Sequence, residues 1–410
     1  MQRRVQLPLG KSIFIFVLTA LFLCFEMGVQ VSTAVMTHDL MQDLSLSTLG
    51  LGFMSGFYYY TYTVMQIPAG LLFDRFHVRD VIVIPLLICA LGTIVFSFAH
   101  GIVLGSLGRL LMGAGSAFAF IAALIVASDL FKPQYFALLA GLTQMLAAFG
   151  AMMGATPLLP LLHRFGWRST MALLAAVAIV LAILVWACIR YERCNTVIHS
   201  ASPIPSILKS IRAIVRTPQA WIVALYACCL WAPMAGFASL WGVPFLQTVY
   251  QLSHTEAASL ISLMWLGLAL GSPLLGWISD LSRHRRIPLA LCGFVGMVAF
   301  SWVALNTVLP MWLLGACLFV AGAACSGQAL SFAVVRDNSS PSTLAAAIGF
   351  NNMAVVVAGA IFQPLIGGLI GDGSSAHFQS GACVIIASLI LGGLIPLFGI
   401  RNTVRFPAEK

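Results

Sequence analysis

Two ionisable side chains interrupt apolar segments of the chain that otherwise carry no charge. Glu26 lies within the first such segment and Arg109 within the fourth. A charge at the centre of a lipid bilayer costs at least about 2.5–3.5 kcal/mol, so an idle one is rarely retained. A carboxyl group beside a guanidinium group can exchange a proton or hold an anionic group of a solute. Proton coupling through both residues is the leading hypothesis, and a static structural ion pair is the alternative.

Polar and aromatic side chains recur in several of the other apolar segments. They are Tyr58, Tyr59, Tyr62 and Gln66 in the second segment, Gln144 in the fifth, Tyr226 and Trp231 in the seventh, Gln328 in the tenth, and Asn351 and Asn352 in the eleventh. Aromatic rings shape a pocket around a solute, and amides bond its polar groups. We predict that these side chains, together with Arg109, bind a substrate; interfacial aromatic belts and hydrogen bonds between helices are the alternative.

The composition identifies lipid as the solvent for most of the chain. Of its 410 residues, 60% are hydrophobic and 8% are charged, against about 25% charged in soluble proteins. A membrane-spanning helix needs about 20 apolar residues, and the sequence predicts an all-α protein with twelve of them. The predicted helices are residues 12–35, 49–73, 80–99, 102–128, 136–161, 169–190, 219–246, 255–279, 288–306, 310–334, 343–370 and 381–401.

The basic residues predict how the chain is oriented in the membrane. With the N-terminus in the cytoplasm, the cytoplasmic segments hold every Lys and Arg except Arg109, Arg164 and Arg168. Loops rich in Lys and Arg stay on the cytoplasmic side. Both termini are therefore predicted to be cytoplasmic, and the net charge of +9 is explained by topology rather than by a nucleic-acid partner.

The chain divides near its middle into two similar halves. Residues 191–218 are rich in Ser, Pro and basic residues and predict a cytoplasmic linker, with an amphipathic piece at 207–215. It separates two six-helix bundles, residues 1–190 and 219–410. Gly70 and Gly276 begin similar motifs 206 residues apart, and Gln144 and Asn352 occupy similar motifs 208 residues apart. Such repeats around a site at the bilayer midplane are typical of secondary transporters.

The loop motifs carry a family resemblance. Gly70-x-x-x-Asp74-Arg75-x-x-x-Arg79 resembles the loop 2–3 signature of the major facilitator superfamily, although His77 replaces the common Gly and Val78 a basic residue. A second copy, Gly276-x-x-x-Asp280, follows the eighth predicted helix. The resemblance implies a gating latch formed by Gly70, Asp74, Arg75, Arg79, Gly276 and Asp280, in which glycine permits close helix approach.

Further motifs resemble the same family. Arg109-x-x-x-Gly113-x-Gly115 is similar to its helix-four signature, and residues 165–168 (Phe-Gly-Trp-Arg) are typical of its helix 5–6 loop. Residues 60–70 and 240–245 resemble phagosomal amino-acid and nucleoside transporters of intracellular bacteria. In this family the first and fourth helices line the central cavity, so the resemblance implies that Glu26 and Arg109 meet there.

These observations predict a proton-coupled symporter that imports an amino acid, peptide or organic anion by rocker-switch alternating access. A proton-driven drug or siderophore exporter and a transporter-like solute sensor are the alternatives. Motifs of metalloproteases, serine hydrolases and P-loop ATPases are missing from the sequence, so no enzyme activity, metal or cofactor is predicted. We expect a monomer in a bacterial inner membrane that is driven by the proton gradient.

Overall fold

A computed structural model describes residues 7–132, 136–190, 212–282, 285–339, 344–371 and 373–400. Within these ranges the side chains of residues 67, 71, 74, 75, 136–138, 140, 141, 276–282 and 344–346 are not described. The backbone of the described residues is helical nearly throughout. Helices satisfy their own backbone hydrogen bonds, which is why apolar chains adopt them in lipid.

The described residues form twelve helical spans, numbered here in chain order. Their bounds are Leu9–Val35, Thr48–Arg75, Val78–Ser97, Ile102–Leu130, Phe136–Met153, Leu159–Cys188, Pro218–Tyr250, His254–Ser282, Arg286–Leu305, Met311–Asn338, Leu344–Ile370 and Ser375–Phe398. Ten helical stretches are long and apolar enough to cross a membrane, and a shorter apolar stretch is Leu142–Met153. Large apolar side chains such as Val103 and Phe398 are more than 80% exposed, as expected of a lipid-facing surface.

Irregularities recur at equivalent places in the two halves. Span 1 ends in a 3-10 turn, Ser32–Val35, and span 7 contains a π-helical stretch, Pro233–Trp241. Span 4 is interrupted between Ser116 and Ala119, and span 10 is interrupted at Ser326. Pro233 and Gly236 lie within this π stretch, and π stretches are common at functional sites.

The packing repeats with a period of six spans. Spans 3 and 4, 3 and 6, 2 and 4, and 1 and 5 pack together in the first half. Adding six to each number gives the pairs that pack in the second half. The predicted fold of two pseudo-symmetric six-helix bundles is therefore confirmed. The first predicted domain boundary, between residues 190 and 191, adjoins residues 191–211 of the predicted linker, which lie outside the described residues. The second, between residues 218 and 219, falls at the start of span 7.

Glycines allow the closest helix contacts at equivalent points of each half. A Cβ atom on Gly113 of span 4 would lie 2.0 Å from the carbonyl oxygen of Tyr58 on span 2. A Cβ atom on Gly322 of span 10 would lie 2.0 Å from the carbonyl oxygen of Met264 on span 8. Only a glycine permits backbones to approach so closely. These contacts fix how spans 2 and 8 are rotated about their own axes.

The largest boundary errors concern the fifth, sixth and twelfth helices. The sixth was predicted to begin at residue 169 and the twelfth at residue 381, but span 12 begins at Ser375. The fifth helix was predicted to run to residue 161, but span 5 ends at Met153 and span 6 begins at Leu159. A Cβ atom on Gly154 would lie 2.2 Å from the carbonyl oxygen of Gly28, and the chain leaves the helix directly after this contact. Span 6 then kinks at Gly166, whose φ of 75° favours glycine.

Candidate functional site

A central cavity of about 470 Å³ lies between the two halves. Its walls come from spans 1, 2, 4 and 5 of the first half and from the equivalent spans 7, 8, 10 and 11 of the second. Lining residues such as Leu124, Phe332 and Ile348 stand within a few residues of the span ends that carry the basic loops. The cavity therefore lies in the part of the bundle nearer this basic end.

The two halves contact each other at the opposite end of the bundle. The hydroxyl groups of Thr156 and Ser262 are 3.1 Å apart, and the Thr48 hydroxyl donates to the carbonyl oxygen of Gly371 at 3.2 Å. The rings of His163 and His254 lie against each other with centroids 5.7 Å apart. These contacts close the far end, so the cavity is associated with the basic end only.

Glu26 is the carboxyl group on the cavity wall. Its side chain is fully buried, and neither carboxylate oxygen has a hydrogen-bond partner. One helical turn further along span 1, Gln30 also lines the cavity. An ionised carboxyl group at such a site would lose its hydration, which the neighbouring Tyr62 and Tyr58 hydroxyl groups could replace only in part, and this costs several kcal/mol. Proton binding or contact with a solute removes this cost.

Arg109 does not line the cavity, and the expected meeting with Glu26 is not observed. The Arg109 Nη1 atom donates to the carbonyl oxygen of Val29 at 3.4 Å, and its guanidinium carbon lies 4.7 Å from the centre of the Tyr58 ring. Its Nε and Nη2 atoms have no partner, and no ion pair within 4.0 Å joins Arg109 to Glu26. Both charges are thus buried beside span 1 but separate in this conformation.

The structure brings about half of the predicted binding residues to the cavity. Tyr59, Tyr62, Gln144, Trp231, Gln328 and Asn352 line it together with Glu26. Because adjacent helical residues point about 100° apart, Tyr58 and Asn351 face away from it. The Tyr226 hydroxyl is buried and donates to the carbonyl oxygen of Leu289.

Gln66 is covered by its neighbour from the other half. The Asn352 Nδ2 atom donates to Gln66 Oε1 at 2.8 Å, and Gln66 Nε2 donates to the carbonyl oxygen of Ala117 at 3.3 Å. Gln66 thus holds a cavity residue in place rather than lining the cavity. Two polar lining residues were missed, Gln30 and Ser272. The spacing of Glu26 and Gln30, four residues on one helix face, was a signal that could have identified Gln30.

The predicted latch is described only in part. The side chains of Asp74, Arg75 and Asp280 lie outside the described residues, as does the surrounding of Gly276. The Arg79 Nε atom donates to Asp80 Oδ1 at 2.9 Å. Among the described residues, a Cβ atom on Gly70 would meet nothing within 4 Å. The latch itself remains a prediction.

The geometry of the far-end loops explains the Phe-Gly-Trp-Arg motif. The kink at Gly166 turns Trp167 and Arg168 toward Asp43, whose Oδ2 atom accepts hydrogen bonds from both side chains. The bond from Trp167, followed by that from Arg168, holds the pKa of Asp43 below its usual range. Arg168 also donates to the carbonyl oxygen of Ala99 at 3.0 Å. The motif therefore ties three loops of the first half together.

The fold and cavity define a helical membrane protein with a solute-sized site between two repeated bundles. The family model of the Major Facilitator Superfamily matches residues 17–361 and 234–409. The chain belongs to this superfamily, a family of transporters, and is a multi-pass membrane transporter.

Individual relatives are distant. The chain is 23% identical to the "Probable L-galactonate transporter" of Escherichia coli (strain K12), over 92% of this chain and 87% of that protein. It is 25% identical to the "Probable galactarate/D-glucarate transporter GudP" of Bacillus subtilis (strain 168), over 95% and 92%. It is 30% identical to the "Uncharacterized transporter YybO" of the same strain, but the match spans 45% of this chain and 42% of that protein.

Solved structures show the same fold. A bacterial homologue of the human lysosomal transporter Spinster, in an inward-facing and unoccupied conformation, matches with a TM-score of 0.78 at 17% identity, over 98% of this chain and 100% of that one. A D-xylose–proton symporter matches with a TM-score of 0.76 at 14% identity, over 96% and 99%. At these identities the likeness concerns the fold alone.

Proposed function

We propose that this transporter is a proton-coupled symporter that imports a small polar organic solute. The two halves rock about the central cavity, which opens alternately at each end of the bundle. The basic end faces the cytoplasm of a bacterial cell, following the positive-inside rule. The present conformation, closed at the far end, corresponds to the state that releases solute inward.

The observation that carries this proposal is the unpartnered carboxyl group of Glu26 on the cavity wall. A neutral, protonated Glu26 is compatible with a buried site, whereas an ionised one needs a cation or water. An ionised Glu26 would also repel an anionic solute in the same cavity. Solute and proton therefore favour each other's binding, which is the thermodynamic requirement for symport.

Arg109 completes the proton cycle in this scheme. Its Nε and Nη2 atoms are buried without a partner, and its Nη1 atom contacts the carbonyl oxygen of Val29 on span 1, the span that carries Glu26. When Glu26 loses its proton, an ion pair with Arg109 stabilises the empty carrier through its conformational change. The unpaired arrangement seen here then belongs to the proton-loaded carrier.

Sugar acids are the solute class that we propose. The cavity offers the amide groups of Gln30, Gln144, Gln328 and Asn352 and the ring of Trp231, a lining that suits hydroxyl-rich solutes. The names of two relatives, which refer to L-galactonate and to galactarate or D-glucarate, support the same class. Amino acids and peptides, which the sequence alone favoured equally, have no such support.

Transport by purified protein in liposomes tests the proposal. L-Galactonate, D-glucarate and D-xylose are assayed in two modes: accumulation driven by a pH gradient, and exchange between equal pools. Glu26→Gln mimics the protonated carboxyl group, so we expect exchange to persist while gradient-driven accumulation falls at least tenfold. Thr19→Val is the matched control, because Thr19 is buried on the same span and its hydroxyl donates to the Phe16 carbonyl.

Two results would contradict the proposal. Accumulation driven by the pH gradient in Glu26→Gln at the level of the unmodified protein would remove the coupling role. Binding of lipophilic drugs, with no transport of any sugar or sugar acid, would point instead to an exporter.

A further inference from the structure

A second cavity, of about 250 Å³, lies at the basic end of the second half, apart from the central cavity. It is enclosed by the segment before span 7, the start of span 7, the end of span 10 and the start of span 11. Ile214, Val223, Val334 and Phe350 form apolar walls. All of its described lining residues are uncharged. Binding an uncharged ligand there therefore has a smaller desolvation free energy than binding a charged one.

Asn351 presents an unsatisfied oxygen atom in the wall of this cavity. Its side chain is 1% exposed, and its Oδ1 atom has no hydrogen-bond partner. The Ser331 hydroxyl group donates its one proton to the carbonyl oxygen of Gln328, at 2.6 Å. Ser331 can therefore only accept from Asn351, whose Nδ2 atom lies 2.7 Å away. This network fixes the orientation of the amide and leaves Oδ1 free for a donor.

Gln219, at the start of span 7, supplies the complementary group. Its Nε2 atom is buried and has no hydrogen-bond partner, and the residue lines the same cavity. Leaving such groups unsatisfied costs about 1–3 kcal/mol each. The cavity thus offers one free acceptor and one free donor between apolar walls.

We propose that this cavity is a binding site for a small uncharged molecule that carries a hydrogen-bond donor and an acceptor beside an apolar group, as a primary carboxamide does. The amide nitrogen of the ligand donates to Asn351 Oδ1, and its carbonyl oxygen accepts from Gln219 Nε2. The site lies at the basic end of the second half. It is independent of the solute proposed for the central cavity.

The hydrogen-bond chain from this site reaches the wall of the central cavity. Asn351 donates to Ser331, which donates to the backbone of Gln328, and the Gln328 side chain lines the central cavity. A ligand that holds Asn351 therefore also holds this part of span 10. The site is placed to sense or adjust the state of the transporter from the side where solute is released.

Benzamide is a suitable probe, since it combines a primary carboxamide with an aromatic ring. Its binding to the full chain in lipid nanodiscs is followed by saturation-transfer NMR, with empty nanodiscs as the baseline. We expect saturable binding that weakens about two- to tenfold in Asn351→Leu and in Gln219→Met, the range for one lost hydrogen bond. Gln219→Met leaves the Asn351–Ser331 network intact, so it tests the site even if Asn351→Leu folds poorly.

Thr143→Val is the matched control, because Thr143 precedes Asn351 by the repeat distance of 208 residues. The Thr143 hydroxyl group already has a partner in its own helix, since it donates to the Leu139 carbonyl at 2.8 Å. It should bind benzamide like the unmodified protein. The absence of saturable binding would show that water alone occupies the cavity and would overturn the proposal. Unchanged affinity for benzamide in Gln219→Met would overturn it as well. So would an equal loss of affinity in Asn352→Leu, because that result would place benzamide in the central cavity.

Discussion

The two interfaces between the halves differ, although the repeat relates them. Three hydrogen bonds join spans 2 and 11 along their length. At the far end Thr48 bonds to Gly371, and further in the Tyr60 hydroxyl bonds to the Ala360 carbonyl. Toward the basic end Asn352 bonds to Gln66. Between spans 5 and 8 the hydrogen bond lies near the far end, where the hydroxyl group of Thr156, in the turn after span 5, is 3.1 Å from that of Ser262.

The polar pair of the first interface has an exact counterpart by the repeat in the second. Gln66 corresponds to Ser272, and Asn352 corresponds to Gln144. Gln144 and Ser272 both line the cavity without a hydrogen bond between them, and the Ser272 hydroxyl donates to the Leu268 carbonyl instead. One interface is closed where its equivalent is open. In the transport cycle proposed above, this asymmetry would let solute leave between spans 5 and 8, and this pair would close in the outward-facing state.

The largest expected effect concerns a difference between the halves in buried charge. Arg109 stands one turn before Gly113, and at the equivalent place before Gly322 stands Leu318, also fully buried. Arg109→Leu makes the first half resemble the second and removes the partner proposed for ionised Glu26. We expect gradient-driven solute uptake in liposomes to fall at least about a hundredfold, while the purified protein stays folded by thermal unfolding.

Leu318→Met is the control for Arg109→Leu, since a volume-conserving apolar exchange costs less than about 1.5 kcal/mol. If folded Arg109→Leu keeps more than half of the uptake of the unmodified protein, the charge of Arg109 has only a structural role. That result would favour the alternative of a static structural ion pair.

The second prediction tests whether the halves are equivalent in packing. Gly113→Ala and Gly322→Ala each place a Cβ atom 2.0 Å from a backbone oxygen, so the helices must separate. We expect each to lower the free energy of unfolding by about 1–3 kcal/mol, by similar amounts. Gly349→Ala is the control, because a Cβ atom there meets nothing within 4 Å. A large loss of unfolding free energy in only one of the two variants would show that the two halves are not equivalent in packing.

The third prediction measures the asymmetry of the two interfaces directly. A double-mutant cycle of Gln66→Leu and Asn352→Leu should give a coupling energy of about 0.5–1.5 kcal/mol in the free energy of unfolding. The equivalent cycle of Gln144→Leu and Ser272→Ala should give a value within about 0.3–0.5 kcal/mol of zero. Equal coupling in both cycles would contradict the open interface between spans 5 and 8.

The smallest expected effect lies in the far-end loops of the first half. The lowered pKa of Asp43 means that its ionised form stabilises the folded state above the ordinary aspartate pKa, about 3.9, and that this stabilisation is lost as the pH falls through the lowered value. Asp43 is about 40% exposed, so the effect is at most about 1 kcal/mol.

We therefore expect Asp43→Asn to unfold at a lower temperature than the unmodified protein at pH 7, by a difference that shrinks as the pH falls below about 3.9 and vanishes only below the lowered pKa of Asp43. Asp39→Asn, on the same short helix, Thr37–Asp43, is the control. A difference that persists at low pH would show that the hydrogen-bond geometry rather than the charge of Asp43 matters.

The apolar segments and their basic loops determined the number of spans and the repeat, because lipid permits only helices of bilayer length in this architecture. Glu26 could be selected as a candidate from its type and depth alone, and it lines the cavity. Periodicity could not decide which neighbour of a pair faces the cavity, as Tyr58 beside Tyr59 and Asn351 beside Asn352 show.

Tertiary packing made those choices. A nearly uniform apolar helix has no strong face of its own, so its rotation is set by the few places where neighbouring backbones touch, such as Gly113 on Tyr58. That contact turns Tyr58 toward Arg109 and leaves Tyr59 and Tyr62 on the cavity wall. The separation of Arg109 from Glu26 belongs to one conformation of the bundle. The sequence therefore determined which side chains were available for transport, and only the packed helices decided which of them meet.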